Sequence, residues 1–328
     1  ISGSSAATVA AIGGIMIPEM IRKGYSRENA VAIAAVSGFL GILIPPSIPM
    51  IVYGINAEVS ISKLFLGGVT PGILCGIGFM IVSRILYSRD IESFGGGTHH
   101  LSEIDSLSNQ EKLRNAIKAI PALIMPVIIL GGIYSGIFTP TEAGAVAALY
   151  GIVVAMAFYR SLNTKSLVFT SGKSALMSAV ILLIISLASV FGWIITVEQV
   201  PAKVTEYITG ITTNKYIILL MLNIFYLFLG TFMETIIAIV ITTPIFLPLI
   251  KAVGVDPVHF GVIMITNLCI GLITPPMALN LLLASKIGHV SIFQTIRALI
   301  PYFLVSLVVL QIVTYVPEIV LFLPNLLS

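Results

Sequence analysis

Five stretches of this sequence, 64–83, 119–138, 143–159, 175–197 and 300–323, run with at most one charged residue each. A helix needs about 20 apolar residues to cross a bilayer. In hydrocarbon every backbone N–H and C=O must be satisfied by protein, which leaves transmembrane helices or a closed barrel as the available folds. Barrel strands alternate polar and apolar residues, and these runs do not. The expected class is therefore all-α and polytopic, with a lipid bilayer as solvent. Charged residues are only 9% of the 328, against about 25% in a soluble domain. A net charge of +3 gives no ground for a nucleic-acid partner, and none is expected. Cys75 and Cys269 lie in apolar segments and read as small buried hydrophobes, not as a disulfide or metal site.

Polar breaks divide the chain at 19–29, 56–63, 88–118, 159–174, 198–215, 251–257 and 286–291. Cytoplasmic loops are enriched in Lys and Arg. With 19–29 placed in the cytoplasm, that side collects Arg22, Lys23, Arg27, Arg84, Arg89, Lys112, Arg114, Lys118, Arg160, Lys165, Lys173, Lys286 and Arg297. The other side holds Lys63, Lys203, Lys215 and Lys251. The assignment is consistent only if 216–250 enters and leaves by one face, as a re-entrant hairpin with its tip at "GTFMET" (230–235). In the long loop, Ser108 and Glu111 form a capping-box pattern, and Leu113, Ile117 and Ile120 share a helical face. An amphipathic helix on the membrane surface is expected there, after a glycine hinge at 95–97. His99 and His100 have no further ligands beside them and read as a solvated loop.

"GILIPPSIP" (41–49) puts adjacent prolines inside an apolar run, and "GLITPPMAL" (271–279) repeats it 230 residues on. At that offset Pro18, Pro45, Pro46 and Pro71 fall on Pro248, Pro275, Pro276 and Pro301, four of the five prolines between 18 and 71. "VSI" at 59–61 recurs at 290–292, shifted by one residue. The charge assignment makes the repeat inverted, the arrangement of secondary transporters that bind at the midplane between broken helices. The four regions expected are a first half (1–87), a cytoplasmic loop with its amphipathic helix (88–118), connecting helices and a periplasmic segment (119–215), and a second half (216–328).

Proline removes a backbone donor, so carbonyls near Gly41–Pro45 and Gly271–Pro275 are expected to be freed. At membrane depth they must face protein, water or an ion. The hairpin tips add hydroxyls and a carboxylate, and hard oxygen donors suit small cations. Two Na+ sites are expected. The first takes Ser2, Ser4 and Ser5 with Gly38, Gly41, Ile44 and Pro45. The second takes Gly230, Thr231, Met233, Glu234 and Thr235 with Gly271, Thr274 and Pro275. No Lys or Arg lies at membrane depth in either half, so an anionic substrate must be held by helix N-termini, hydroxyls and bound cations. Bound sodium would prepare the site for a carboxylate, which implies co-transport. Ser47, Met277 and Asn280, beside the breaks, are the candidate substrate contacts, and Asn280 equally fits a bond to a neighbouring helix.

Glu142 in "TPTEAG" fits the third position of a capped helix better than a proton-coupling role. Glu234 sits at an expected intramembrane tip, where ionisable residues are functional by default. Trp193 reads as an interfacial anchor. His99, His100, His259 and His289 lie in loops or near segment ends, and no HExxH occurs, so an intramembrane enzyme is not expected. A passive channel is disfavoured by hairpins that build an occluded site. A stand-alone Na+- or H+-coupled anion symporter of the same architecture is the alternative.

At "SGSSAATVAAIG", "GILIPPS", "GIFTPTEAGAVAALYG" (136–151), "GTFMETIIAIVITTPIFLP" (230–248) and "GLITPPMALNLLLAS" (271–285) the sequence resembles the large membrane subunit, the M or DctM-type subunit, of TRAP transporters, the tripartite ATP-independent periplasmic transporters. The resemblance implies an elevator-type transporter of the bacterial inner membrane with sodium coupling. It also implies a small membrane Q subunit and a periplasmic substrate-binding protein that delivers a carboxylate, with sialic acid or a C4-dicarboxylate as the expected substrate and sialic acid favoured on overall likeness. The family's subunit is longer at its N-terminus. The start at "ISGSSAATVAAIGGIMIP", which reads as the middle of a membrane element, is accordingly expected to follow a missing portion that includes the first limb of the first hairpin.

Overall fold

The computed structural model describes residues 3–93 and 109–327. Ser2, the glycines at 95–97, His99, His100 and Ser108 lie outside them. Among the described residues there are α-helices and two π-helical turns, with no strand. Seven helical stretches are long and apolar enough to cross a membrane. The all-α, polytopic reading holds.

In chain order, α1 (Ser5–Thr8) continues through a π-helical turn (Val9–Gly13) into α2 (Gly14–Arg22), followed by α3 (Arg27–Leu43), α4 (Ile48–Ala57) and α5 (Ile61–Ser93). Next come α6 (Asn109–Tyr134), α7 (Pro140–Val153), a second π-helical turn (Val154–Phe158) and α8 (Thr164–Val197). The chain ends with α9 (Val200–Ile211), α10 (Lys215–Gly230), α11 (Thr235–Ala252), α12 (Pro257–Gly271), α13 (Leu279–Gly288), α14 (Ile292–Tyr315) and α15 (Pro317–Leu327). Two compact units result: residues 1–99 with 192–328, and residues 100–191.

Within the first unit the repeat is written into the backbone. The start of α1 and the end of α2 at Ser5 and Arg22 match those of α11 at Thr235 and Ala252, and Arg27 matches Pro257, all at an offset of 230. Beyond the proline break the offset becomes 231: Ile48 and Ala57 match Leu279 and Gly288, and Ile61 matches Ile292. The turns match as well. Gly24 and Gly254 both take positive φ, +91° and +72°, a conformation that favours glycine because it has no Cβ. Ser26 and Asp256 cap α3 and α12 with their side-chain oxygens. Glu58 and His289 end α4 and α13 in the left-handed region.

The two halves interlock. Every residue from Val258 to Gly271 in α12 is buried, as expected of a helix that is apolar all round. α4 of the first half packs on α11 and α12 of the second, and α13 of the second packs on α3 and the helical limb 5–22 of the first. Tyr53 on α4 donates its hydroxyl to the Pro257 carbonyl at 2.6 Å. Near Lys23, the Tyr87 hydroxyl donates to the Lys23 carbonyl at 3.2 Å, and Gly288 lies against Val31 and Ile17. Arg22, Lys23, Arg27 and Lys286 therefore share one end of the unit. At the other end His259 bonds the Val313 carbonyl and Tyr216 meets Tyr315, which brings the start of α10 beside the turn that leaves α11. α10 and α11 are joined by the short segment 231–234, α10 packs mainly on α12, and α9 packs against α11.

In the second unit, α6 and α7 pair. The Tyr150 hydroxyl donates to the Pro121 carbonyl at 2.8 Å and the Tyr159 hydroxyl to that of Lys118 at 2.6 Å. α6 runs unbroken from Asn109 past Pro121 and Pro126, so the amphipathic stretch and the apolar span behind it form one helix. The spans at 113–134, 140–158 and 164–197 have only 11% of their most apolar window buried, against 33% or more in the other four. Their apolar side chains, Leu123, Val127 and Leu149 among them, face outward, the surface that lipid or another membrane helix covers.

Candidate functional site

At the first tip, Gly3 and Ser4 lead into α1. The Ser4 hydroxyl accepts from Ala7 N–H at 3.4 Å, and its carbonyl accepts from Thr8 N–H at 3.1 Å and from the Thr8 hydroxyl at 2.9 Å. The Gly3 carbonyl accepts from Ile48 N–H at 3.3 Å, across the break between α3 and α4. That break exists because Pro45 and Pro46 bring no N–H, so the carbonyls of Gly41 and Ile42 lose the donors of the next turn. α3 stops at Leu43, Ile44 is extended, the Pro45–Pro46 bond is cis, and Ser47 restarts the helix by accepting from Met50 N–H at 3.4 Å. The tip packs closely on α3. A Cβ at Gly41 would meet Thr8, and one at Gly38 would meet Val9 and Asn280.

The second tip repeats this plan with different chemistry. Glu234 caps α11, its Oε2 accepting from Ile236 N–H at 2.8 Å and Ile237 N–H at 3.4 Å. The Thr231 carbonyl accepts from Met277 N–H at 3.1 Å, again joining tip to break. Gly230 and Gly271 touch backbone to backbone, and the Pro275–Pro276 bond is cis. Here the expectation of freed carbonyls needs correction. Pro275 and Pro276 deprive Gly271 and Leu272 of their usual donors, but Thr274 N–H bonds the Gly271 carbonyl at 3.0 Å and Asn280 N–H bonds that of Leu272 at 3.0 Å. The Thr231 and Thr274 hydroxyls are likewise taken, by the carbonyls of Phe228 and Ile270 at 2.8 Å each.

Asn280 spans the halves. Fully buried on α13, it donates from its amide nitrogen to the Ser5 hydroxyl and to the Ala35 carbonyl. Its Oδ1 has no partner, and neither does the Oγ1 of Thr235, 1% exposed at the start of α11. A buried oxygen left unsatisfied costs about 1–3 kcal/mol, and a bound cation removes that cost. The donor set fits a hard alkali cation: hydroxyl, amide and carbonyl oxygens. Among the described residues no group of three or more His, Cys, Asp or Glu is placed to hold a metal ion.

Of the residues expected in the first site, Ser4, Ser5, Gly38 and Gly41 come together, and Ile44 and Pro45 form the break they face. Ser2 lies outside the described residues. Of the second, Gly230, Thr231, Glu234, Thr235, Gly271, Thr274 and Pro275 line one tip and break, with Met233 half-buried in the same turn. The three substrate candidates do not share a surface. Met277 is 56% exposed, whereas Ser47 and Asn280 are 0% exposed. Thr8 was not expected; it follows Ser4 by four residues, so it lies on the same helix face, and that spacing was its signal. Glu142 closes the expected capping box with Thr139 at 2.8 Å and 3.3 Å.

Residues 1–319 match the family model described as "Tripartite ATP-independent periplasmic transporter, DctM component". The isethionate TRAP transporter permease protein DctMQ of Oleidesulfovibrio alaskensis is 45% identical over 98% of this chain, which spans about half (49%) of that relative's length. The C4-dicarboxylate TRAP transporter large permease protein DctM of Pseudomonas aeruginosa is 43% identical over 100% of the chain and 75% of its own length. The sialic acid TRAP transporter large permease protein SiaM of Vibrio cholerae is 35% identical, over 99% and 74%. These relatives are transporter permeases, not enzymes. A chain matched over nearly its whole length, residues 1–319, belongs to the DctM component family of the tripartite ATP-independent periplasmic transporters.

Proposed function

We propose that the chain forms the carrier part of an inner-membrane permease that imports a small organic anion together with sodium, moving its interlocked first unit as an elevator. The observation that carries this reading is the pair of buried, unpartnered oxygens, Thr235 Oγ1 and Asn280 Oδ1, at the two tips. No Lys or Arg occurs at 28–62, 216–250 or 252–285, so an anion at this depth has no side-chain countercharge. Cations bound at the tips supply one, and that makes anion binding depend on sodium. The relatives' named cargoes, isethionate, C4-dicarboxylate and sialic acid, have in common a small anionic headgroup on a polar body. We favour a carboxylate, with the dicarboxylate ahead of sialic acid by similarity. A small Q subunit and a periplasmic binding protein complete the assembly, and the DctMQ name of one relative supports the Q partner.

The test is uptake into proteoliposomes holding the full permease, with each of the three acids as competitor. Uptake should require both a sodium gradient and the binding protein, and Thr235→Ala should raise the sodium concentration for half-maximal uptake several-fold. Sodium-independent uptake would refute the coupling. Equal uptake of free substrate without binding protein would leave the stand-alone symporter in its place.

A further inference from the structure

A groove of about 410 Å³ opens where α13 ends and α14 begins, lined by Leu282, Ser285, Lys286, His289, Val290, Ser291 and Ile292. It lies at the end of the first unit that also carries Arg22, Lys23 and Arg27, away from both hairpin tips. Its apolar wall is Leu282, Val290 and Ile292, and its polar side is Ser285, Lys286, His289 and Ser291.

Three features point to an anion. Ser291 caps α14, a helix of 24 residues whose N-terminus presents a partial positive charge to the groove. Lys286 and His289 are exposed at its rim, and among the described residues no carboxylate lies within ion-pair distance of Lys286. The third feature is Ser285, only 5% exposed, with its hydroxyl unpartnered. Buried hydroxyls elsewhere in these helices, those of Thr242, Thr243, Thr266, Ser306 and Thr314, each donate to the carbonyl four residues back. Ser285 does not, and it lines the groove with its hydroxyl unused.

The repeat supplies a control. At the offset of 231, the first-half counterparts of Ser285, Lys286, His289 and Ser291 are Gly54, Ile55, Glu58 and Ser60. The same backbone turn carries no cation there and one acid. The basic groove is therefore not a by-product of the turn. Phe293, next along α14, is 87% exposed, so an apolar ring stands beside the basic groove.

We propose that this groove binds a phosphate group, carried by an anionic lipid headgroup or free in solution, through Lys286, the Ser285 hydroxyl and the N-terminus of α14. The purified full-length permease in detergent is titrated with short-chain phosphatidylglycerol, with phosphatidylcholine of the same chain length and with inorganic phosphate. Binding is read by native mass spectrometry for the lipids and by thermal shift for phosphate. Phosphatidylglycerol should bind in preference to phosphatidylcholine, with affinity lowered about tenfold in Lys286→Gln, as for loss of a charge-assisted hydrogen bond, and several-fold in Ser285→Ala. Inorganic phosphate that binds with the same sensitivity to both variants would identify the free anion as the source. Absence of saturable binding by either, or variants that titrate like the parent protein, overturns the proposal.

Discussion

Replacing Gly271 by alanine tests whether the second tip is fixed by backbone contact. The added Cβ would lie 2.3 Å from the carbonyl carbon of Gly230 and 2.4 Å from its oxygen, where carbon contacts settle at about 3.5 Å or beyond. The obstacle is main chain at the end of α10, tied one residue on by the Thr231–Met277 hydrogen bond. Relief requires moving α10 against the buried α12. Overpacking costs about 1–3 kcal/mol, and this site belongs at the upper end, about a hundredfold in the folded ratio. Gly41, its repeat partner, is the comparison. There the Cβ meets Thr8, at 2.3 Å from Oγ1 and 3.0 Å from Cβ. A side chain yields more easily, at the loss of one hydrogen bond to the Ser4 carbonyl, about 1 kcal/mol. Gly41→Ala should therefore be milder, and Thr8→Ala should rescue part of it. Cys75 and Cys269 are both buried, so a thiol-reactive dye added during heating reports unfolding directly. Gly271→Ala should melt well below the parent and Gly41→Ala between them, with the Thr8→Ala/Gly41→Ala double variant above Gly41→Ala. A parental midpoint for Gly271→Ala, or no rescue at Gly41, refutes the argument.

Other outcomes follow from the same contacts. Glu142→Gln keeps a capping box and should transport normally at every pH, whereas Glu142→Ala should lower the melting midpoint slightly by removing half of that box; a transport defect in the Gln variant would return Glu142 to proton coupling. Asn280→Ala and Ser5→Ala should be non-additive in a melting-based double-mutant cycle, with a coupling of about 0.5–3 kcal/mol, and strict additivity would deny their contact. A cysteine at Ser93 should react with an impermeant reagent from the cytoplasmic side alone, and labelling of intact cells from outside would reverse the orientation. Lys203→Glu with Lys251→Glu should slow the concentration-dependent phase of uptake with binding protein while sodium affinity stays unchanged, and unaltered uptake would move the docking surface elsewhere.

The fold was legible wherever the chain's constraint is one-dimensional. Run length gave the spans, and proline spacing gave the repeat, even to the slip that "VSI" marks, which the structure places between Gly271 and Leu279. Charge placement agrees with the ends at which Lys23 and Lys286 meet their neighbours. What the sequence does not show is where a polar atom finds its partner. The carbonyls of Gly271 and Leu272 were expected to be free because prolines cannot donate to them, but Thr274 and Asn280 donate instead, from positions that no helical period indicates. Asn280 could have faced substrate or a helix. Its burial against Ser5, 275 residues away in sequence, is a tertiary fact.

The one-residue slip has a chemical consequence. The first break occupies 44–47 and the second 272–278. Where Ser47 caps α4, the second half has Ala278 in a left-handed conformation and without a cap. Where α4 has Pro49 as its second residue, α13 has Asn280, whose backbone closes the second break and whose side chain crosses to the first tip. Thr235 Oγ1 and Asn280 Oδ1, the unpartnered buried oxygens at the tips, both belong to the second half, although one of them lies beside the first tip. The unpartnered oxygen beside the first tip is encoded 275 residues beyond Ser5. The two halves thus share a backbone plan but not the side chains at their breaks. The Asn280–Ser5 bond ties 216–328 to 1–87, and under the proposed elevator reading it keeps the two halves moving as one body.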